Sequence, residues 1–192
     1  MAYEKETLEK SILDISERLL FRYGYKNLNL NDVAKEAKIS KTTLYKTFDN
    51  KYVIASKVIE RFLQKADLEI LELLQKELPL QDKIRQSIKV ISNLYIKMDK
   101  DFLYDLENSL PELWSKIDDV RKTKESILAE LLLKEQRNGS VREDIDPALL
   151  SALIMILVRG IYNPDFFFTH NVSADTAGDV IISIFLNGIL QN

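Results

Sequence analysis

The sequence predicts an all-α protein with an N-terminal three-helix helix-turn-helix domain and a longer helical body, about nine helices in total. Apolar residues recur at helical spacing along nearly the whole chain, and no strand-like alternation is present. Only 5 Gly and 4 Pro occur in 192 residues, which favours long helices over a sheet that needs many turns. We place the domain boundary between 1–50, the helix-turn-helix domain, and 51–192, the helical body.

The N-terminal helices have clear start and stop signals. Gly24 follows the first apolar stripe, where a positive-φ residue commonly ends a helix. Asn29 and Ser40 are good N-caps for two short helices, which a tight turn at Lys38-Ile39 joins. The predicted bounds are about 7–23, 30–37 and 41–47.

The body contains six further predicted helices. Asp49 or Asn50 caps the fourth, Pro79 ends it, and Asp146-Pro147 opens the eighth. The other predicted ranges are about 81–98, 101–109, 109–137, 147–162 (ended by Asn163-Pro164) and 174–190. Phe166-Phe167-Phe168 are expected to form a loop or stub, and His170 is expected to be a loop residue.

Composition excludes several classes of protein. Cysteine is absent and His170 is the only histidine, which argues against thiolate sites and paired-histidine metal sites. We therefore expect that the protein is not an enzyme and that it binds no metal and no cofactor. No secretory signal is visible, and no apolar run approaches the roughly 20 residues of a membrane span, so we expect a cytoplasmic protein without a membrane partner.

Charge is distributed unevenly along the chain. Residues 1–57 contain 11 basic and 8 acidic side chains, whereas residues 58–192 contain 16 and 22. A basic head on an acidic body suggests that the head meets a polyanion, although chance clustering also explains a modest offset.

The predicted third helix fits the major groove of B-DNA, about 12 Å wide.

The stretch from Ile12 to Glu60 resembles the DNA-binding domain of TetR-family transcriptional regulators. The landmarks that carry the resemblance are Leu19, Phe21, Gly24, Tyr25, Asp32-Val33-Ala34, Ala37, Ile39, Ser40, Thr43-Leu44-Tyr45, Phe48 and Lys51. Three positions depart from the family pattern. Asn29 stands for a Thr or Ser pair, Lys38 for the usual turn glycine, and Thr42 for a frequent Gly or Pro.

The resemblance implies which residues contact DNA. Tyr45 and Lys51 match positions that usually contact phosphates, and the third helix presents the surface that meets bases. The predicted DNA-binding set is Asn29, Asn31, Ser40, Lys41, Thr42, Thr43, Tyr45, Lys46, Thr47 and Lys51. Tyr45 packing on the scaffold, and Lys41 and Lys46 as ordinary solvated charges, are the competing interpretations.

The resemblance also implies that 51–192 is a helical regulatory and dimerisation domain, which forms a homodimer and binds a small-molecule effector. The helices over about 147–162 and 174–190 are apolar around most of their circumference, as expected for a dimer interface or for burial within one subunit. The predicted lining of a pocket for an apolar or amphipathic ligand is Phe62, Tyr95, Met98, Phe102, Trp114, Met155, Arg159 and Tyr162, although such residues are also typical of a core. Arg159 needs an acceptor, either a protein carboxylate or an acidic ligand.

The sequence therefore predicts a transcriptional regulator that binds double-stranded DNA at an operator. By the habit of the family we expect a repressor that an effector releases. Two alternatives remain: a helical protein-interaction module that has lost DNA binding, and an all-α enzyme that uses carboxylate chemistry.

Overall fold

The computed structural model describes residues 2–98, 100–162 and 164–189. Across these ranges the chain forms ten helices and no β-strand, which confirms the predicted fold class. None of the described helices combines the length and apolarity needed to cross a membrane. The helices are α1 (Ala2–Asn27), α2 (Leu30–Glu36), α3 (Lys41–Thr47), α4 (Lys51–Gln75), α5 (Leu80–Ile96), α6 (Lys100–Ser109), α7 (Pro111–Arg137), α8 (Pro147–Ile161), α9 (Pro164–His170) and α10 (Ala174–Ile189).

The predicted capping residues are present. The Asn29 side chain accepts a hydrogen bond from the Asn31 amide at 2.9 Å, and the Ser40 hydroxyl accepts one from the Thr43 amide at 3.0 Å. Asp146 likewise accepts from two amides at the start of α8. Each cap satisfies amide groups that the first helical turn leaves free, so these helices begin where the sequence predicts.

Residues 164–170 differ from the expectation. They form the seven-residue helix α9, so a loop is wrong for this segment, and His170 is the last residue of the helix rather than a loop residue. A proline opens the segment, where its fixed φ suits a first helical position, and packing of Phe167 on Tyr95 and Tyr162 helps to hold the helix. The rings of Phe166 and His170, four residues apart, lie 4.5 Å from centroid to centroid. The predicted helix stop at Asn163 and the predicted helix end at Leu190 lie outside the described residues.

The chain forms two compact units that interleave in sequence. The first unit contains Met1–Lys65 and Lys97–Trp114, and the second contains Ala66–Ile96 and Ser115–Asn192. Thus α6 belongs with the N-terminal helices, because it packs along α1. The boundary after residue 50 stays a prediction about function and does not coincide with this division.

Aromatic side chains from three helices form part of the core of the first unit. The Phe21 ring of α1 lies 4.8 Å from the Phe62 ring of α4 and 5.1 Å from the Phe102 ring of α6, measured between centroids. All three side chains are buried. Their packing joins α1, α4 and α6, and α2 packs in turn against α1.

The second unit has its core among α5, α7, α8 and α10. Within it, the hydroxyls of Ser92 and Tyr162 are 2.6 Å apart, and both reach the Ala174 carbonyl. Gly178 of α10 packs directly on these hydroxyls. The lack of a side chain at Gly178 therefore permits a close approach of α10 within one chain.

Candidate nucleic-acid interface

The segment from α2 to α3 is a helix-turn-helix. Leu44 and Phe48 anchor α3, because both side chains are buried, and Val33 and Ala34 bury the inner face of α2. The Ile39 amide donates to the Ala34 carbonyl at 3.0 Å and closes the turn between the helices. Leu44 and Phe48 therefore hold α3 in place and leave its outer face exposed.

Most of the predicted DNA-binding residues lie on the exposed face of this motif. Thr43, Thr47 and Lys51 are partly buried, and the other seven are exposed. The Tyr45 side chain is 51% exposed, which argues against packing on the scaffold as its role. The exposed residues of the set are Asn29, Asn31, Ser40, Lys41, Thr42, Tyr45 and Lys46.

Two threonine hydroxyls of α3 are already engaged within the helix. The Thr43 hydroxyl lies 2.8 Å from that of Ser40, and the Thr47 hydroxyl donates to the Thr43 carbonyl at 2.9 Å. Such local hydrogen bonds compete with outside partners. Lys41, Thr42 and Lys46 are consequently the α3 side chains best suited to reach base edges.

The turn holds a lysine in a conformation that favours glycine. Lys38 has φ 55°, the left-handed region that costs a residue with a Cβ about 1–2 kcal/mol. The turn thus keeps the backbone shape that a glycine would give. The Lys38 side chain is exposed on the same motif as Lys35 and Lys41, where it adds positive charge.

Lys51 begins α4 beside the end of α1. Its ammonium donates to the Lys26 carbonyl at 2.9 Å and lies 4.7 Å from the centroid of the Tyr25 ring. Burial lowers the pKa of Lys51, and the negative charge of Asp105 opposes that shift. Burial raises the pKa of the Tyr25 hydroxyl. The ammonium is therefore held in a defined place next to a helix N-terminus, where an anion is favoured.

Sequence reasoning missed two carboxylates that support this region. Asp105 of α6 accepts a hydrogen bond from the Lys26 amide at 2.8 Å, and Glu112 of α7 accepts one from the Tyr52 hydroxyl at 2.6 Å. That second bond raises the pKa of Tyr52. Both carboxylates lie more than 50 residues from their partners in sequence, so no local pattern could have linked them.

Comparisons with known proteins agree with this geometry. Residues 12–58 match the sequence model of the N-terminal domain of bacterial regulatory proteins of the tetR family. An uncharacterized HTH-type transcriptional regulator of Bacillus subtilis (strain 168), YvaF, is 23% identical over 185 residues, 95% of each chain. Residues 12–58 are thus a TetR-family DNA-binding domain. The family predicted from the sequence is confirmed, and with it the DNA-binding class of the protein.

Solved structures show that the fold of this regulator is shared. A transcriptional regulator from Saccharomonospora viridis, solved in complex with choline, has a TM-score of 0.77 and 17% identity, over 97% of this chain and 100% of that one. A TetR-family regulator from Agrobacterium tumefaciens has a TM-score of 0.72 and 15% identity, with the same coverage.

The residues predicted to line a ligand pocket in the regulator occupy different surroundings. Phe62 and Phe102 are core residues of the first unit, where the half-buried Trp114 also lies. In the second unit the rings of Tyr95 and the buried Tyr162 are 5.0 Å apart. The predicted set is therefore divided between the two units.

Of the three further candidates of that set, Met98 belongs to the first unit, and Met155 and Arg159 belong to α8 of the second unit. Met98 and Met155 are half-buried, whereas Arg159 is exposed on α8. Arg159 therefore lies on the open face of α8, and its pairing with a protein carboxylate or an acidic ligand stays a prediction.

A cleft of about 340 Å³ opens between α5 and α10 of the regulator. None of the eight predicted pocket residues lines it. Its walls carry one amide and three charged side chains, and Gly178 lies among its lining residues. The lining is Ile88, Lys89, Ser92, Asn93, Asp175, Gly178, Asp179 and Ile182.

The helices α8 and α10 each divide into a buried and an exposed apolar face. On α8, Leu150, Ile154 and Val158 pack into the core of their own unit. The opposite faces of both helices keep several large apolar side chains exposed. Ile156 of α8 is 64% exposed, and Ile184 of α10 is 63% exposed. The exposed set is Leu149, Leu153, Ile156 and Leu157 on α8, and Val180 and Ile184 on α10.

Proposed function

We propose that the regulator is a cytoplasmic, non-enzymatic homodimer that represses transcription at an operator and is released by a small-molecule effector. The observation that carries the proposal is the polar face of α3. Lys41, Thr42, Tyr45 and Lys46 are exposed, while Leu44 and Phe48 fix the helix from behind. A helix presented in this way fits the major groove of DNA.

The exposed apolar faces of α8 and α10 support the homodimer. Six large apolar side chains on these two helices are exposed, and a cluster of this kind is typical of an interaction surface. A second copy of the same chain covers such a surface when the patch pairs with itself about a two-fold axis. Two recognition helices then meet successive major grooves, about 34–36 Å apart.

A small-molecule effector is supported by the similar regulator from Saccharomonospora viridis that was solved with choline. The effector shifts DNA affinity if it binds more tightly to the conformation that misfits the operator. Tyr95 and Met155 of the predicted set are half-buried in the second unit, and they are the candidates that we retain for contact with an effector.

DNA binding is tested by fluorescence anisotropy with labelled DNA from upstream of the regulator's own gene, at several salt concentrations and with unrelated competitor DNA. We expect binding that survives the competitor and weakens linearly on a log–log plot against salt. Y45A and K51A should weaken binding to all sequences, each lowering the magnitude of the salt slope by at most about one.

The matched control is K76A, which removes an exposed lysine of the second unit and should leave binding unchanged. If no duplex survives competition, selection from a random-sequence library follows. Failure to select any sequence contradicts the proposal and favours the protein-interaction alternative.

A further inference from the structure

A buried carboxylate of α6, that of Asp105, binds Lys26 near the end of α1. Asp105 is 4% exposed, and its Oδ2 accepts the Lys26 amide hydrogen bond at 2.8 Å. Its Oδ1 lies 3.4 Å from the Lys26 ammonium, which is itself largely exposed. A buried carboxylate is tolerated where charge-assisted hydrogen bonds replace its hydration. Asp105 therefore binds both the backbone and the side chain of one residue.

The backbone of α1 is shaped to receive this carboxylate. Gly24 interrupts the helix with φ 79°, a value that glycine adopts at little cost. A Cβ at this position would stand 3.0 Å from Asp105 Oδ2 and 3.4 Å from the Asp101 carbonyl. The absence of a side chain at Gly24 is thus what allows α6 to approach the bend.

The same bend holds the predicted phosphate-contacting lysine. The Lys26 carbonyl accepts from the Lys51 ammonium at 2.9 Å, so the backbone of Lys26 joins Asp105 on one side to Lys51 on the other. The groups that face Lys51 are the Tyr25 ring, the Lys26 carbonyl and, at longer range, the Asp105 charge. The place of the ammonium therefore depends on the place of the α1 end.

We propose that Asp105 is a positioning residue for DNA binding, which holds Lys51 at the DNA surface through the backbone of Lys26. The proposal rests on the proposed function, because it concerns the same interface. It also gives α6 a defined influence on the DNA contact: a displacement of α6 that breaks the Asp105–Lys26 bond releases the carbonyl that holds Lys51.

The test is a double-mutant cycle on DNA affinity, which separates an effect through Lys51 from a general loss of structure. The variants are D105A, D105N, K51M and the double variants, each checked for folding by circular dichroism. The DNA is a fluorescein-labelled duplex that the wild-type protein has selected from a random-sequence library. The matched control is E107A, which removes a partly exposed carboxylate from the same helix.

We expect D105A to weaken binding about tenfold and D105N about threefold, because an amide oxygen still accepts the Lys26 bond. In the K51M background neither substitution should weaken binding further, and E107A should match the wild type. Should D105A fail to fold, D105N completes the cycle.

Equal losses from the Asp105 substitutions with and without Lys51 would overturn the inference, since they would then act on the fold as a whole. Wild-type affinity of D105A and D105N overturns it as well. These results leave the proposed function standing, provided that the wild type selects a duplex. If it selects none, the proposed function fails and the inference fails with it.

Discussion

The hydroxyl oxygens of Ser92 and Tyr162 lie 2.6 Å apart in the interior of the second unit, and Gly178 packs against both. A Cβ on Gly178 would stand 2.8 Å from each oxygen and 3.0 Å from a methyl group of Ile88. The pair of hydroxyls thus sets how closely α10 approaches α5.

The first prediction follows from that approach. G178A should lower the free energy of unfolding by about 1–3 kcal/mol, because the new methyl group must push α10 away from α5. Urea unfolding measures the change. Adding Y162F to G178A removes one of the two clashing oxygens and should recover part of the loss. If G178A is as stable as the wild type, the helices can separate here without cost.

The second prediction concerns alkaline pH. Burial raises the pKa of Tyr162 above its ordinary value of 10.0, although the bond with Ser92 opposes the shift. The unfolded chain therefore loses this proton at a lower pH than the folded protein does. The contribution to stability is complete below the unfolded pKa and declines as pH rises through the folded pKa.

We accordingly expect the Y162F variant to lose less stability than the wild type between about pH 8.5 and about pH 10.5, a range that brackets the ordinary tyrosine pKa. Urea unfolding at both pH values measures this. Tyr25 and Tyr52, whose pKa values are also raised, are present in both proteins and cancel in the difference. Equal losses would contradict the prediction.

The third prediction concerns the strained turn at Lys38. K38G should stabilise the protein by about 0.5–1 kcal/mol, since glycine takes φ 55° without the clash that a Cβ causes. K38A removes the same charged side chain but keeps the Cβ, and it should not stabilise. Thermal unfolding of the three proteins distinguishes relief of strain from loss of charge, because only the former separates the two variants.

The fourth prediction concerns the exposed faces of α8 and α10. I156D and I184D should dissociate the proposed homodimer and weaken operator binding, because a carboxylate buried between two apolar faces lacks a partner. Sedimentation velocity measures the oligomeric state. L68D is the matched control, since Leu68 is 62% exposed in the same unit but lies on α4. Monomeric wild-type protein, or dissociation by L68D alone, would argue against this interface.

Local signals in the sequence predict most of the fold. Asn29, Ser40 and Asp146 satisfy amide groups within three residues of themselves, so their effect can be read from a short stretch of chain. The loop expected at Phe166-Phe167-Phe168 failed for the opposite reason. Phe167 packs on Tyr95 and Tyr162, and this tertiary packing helps to hold a helix whose sequence alone indicates little.

The candidate site also has one part that the local sequence predicts and another part that it does not. The exposed face of α3 follows from helical spacing once Leu44 and Phe48 are recognised as anchors. The support of Lys51 could not be predicted, because Asp105 lies 79 residues from Lys26 in the chain. The pocket residues were the least predictable, since an aromatic side chain such as Phe62 gives the same signal in a core as in a cavity.

The membership of α6 in the first unit has a consequence for engineering. A DNA-reading module cut after residue 50 would lack Phe62 and Phe102, the partners of Phe21, and the carboxylate that closes the bend at Gly24. Hybrid regulators that exchange N-terminal domains after residue 50 therefore bring together core side chains from two different proteins, which do not fit each other. A graft that also carries residues 51–65 and 97–114 keeps the module's own packing, so the transplantable unit is discontinuous in the gene.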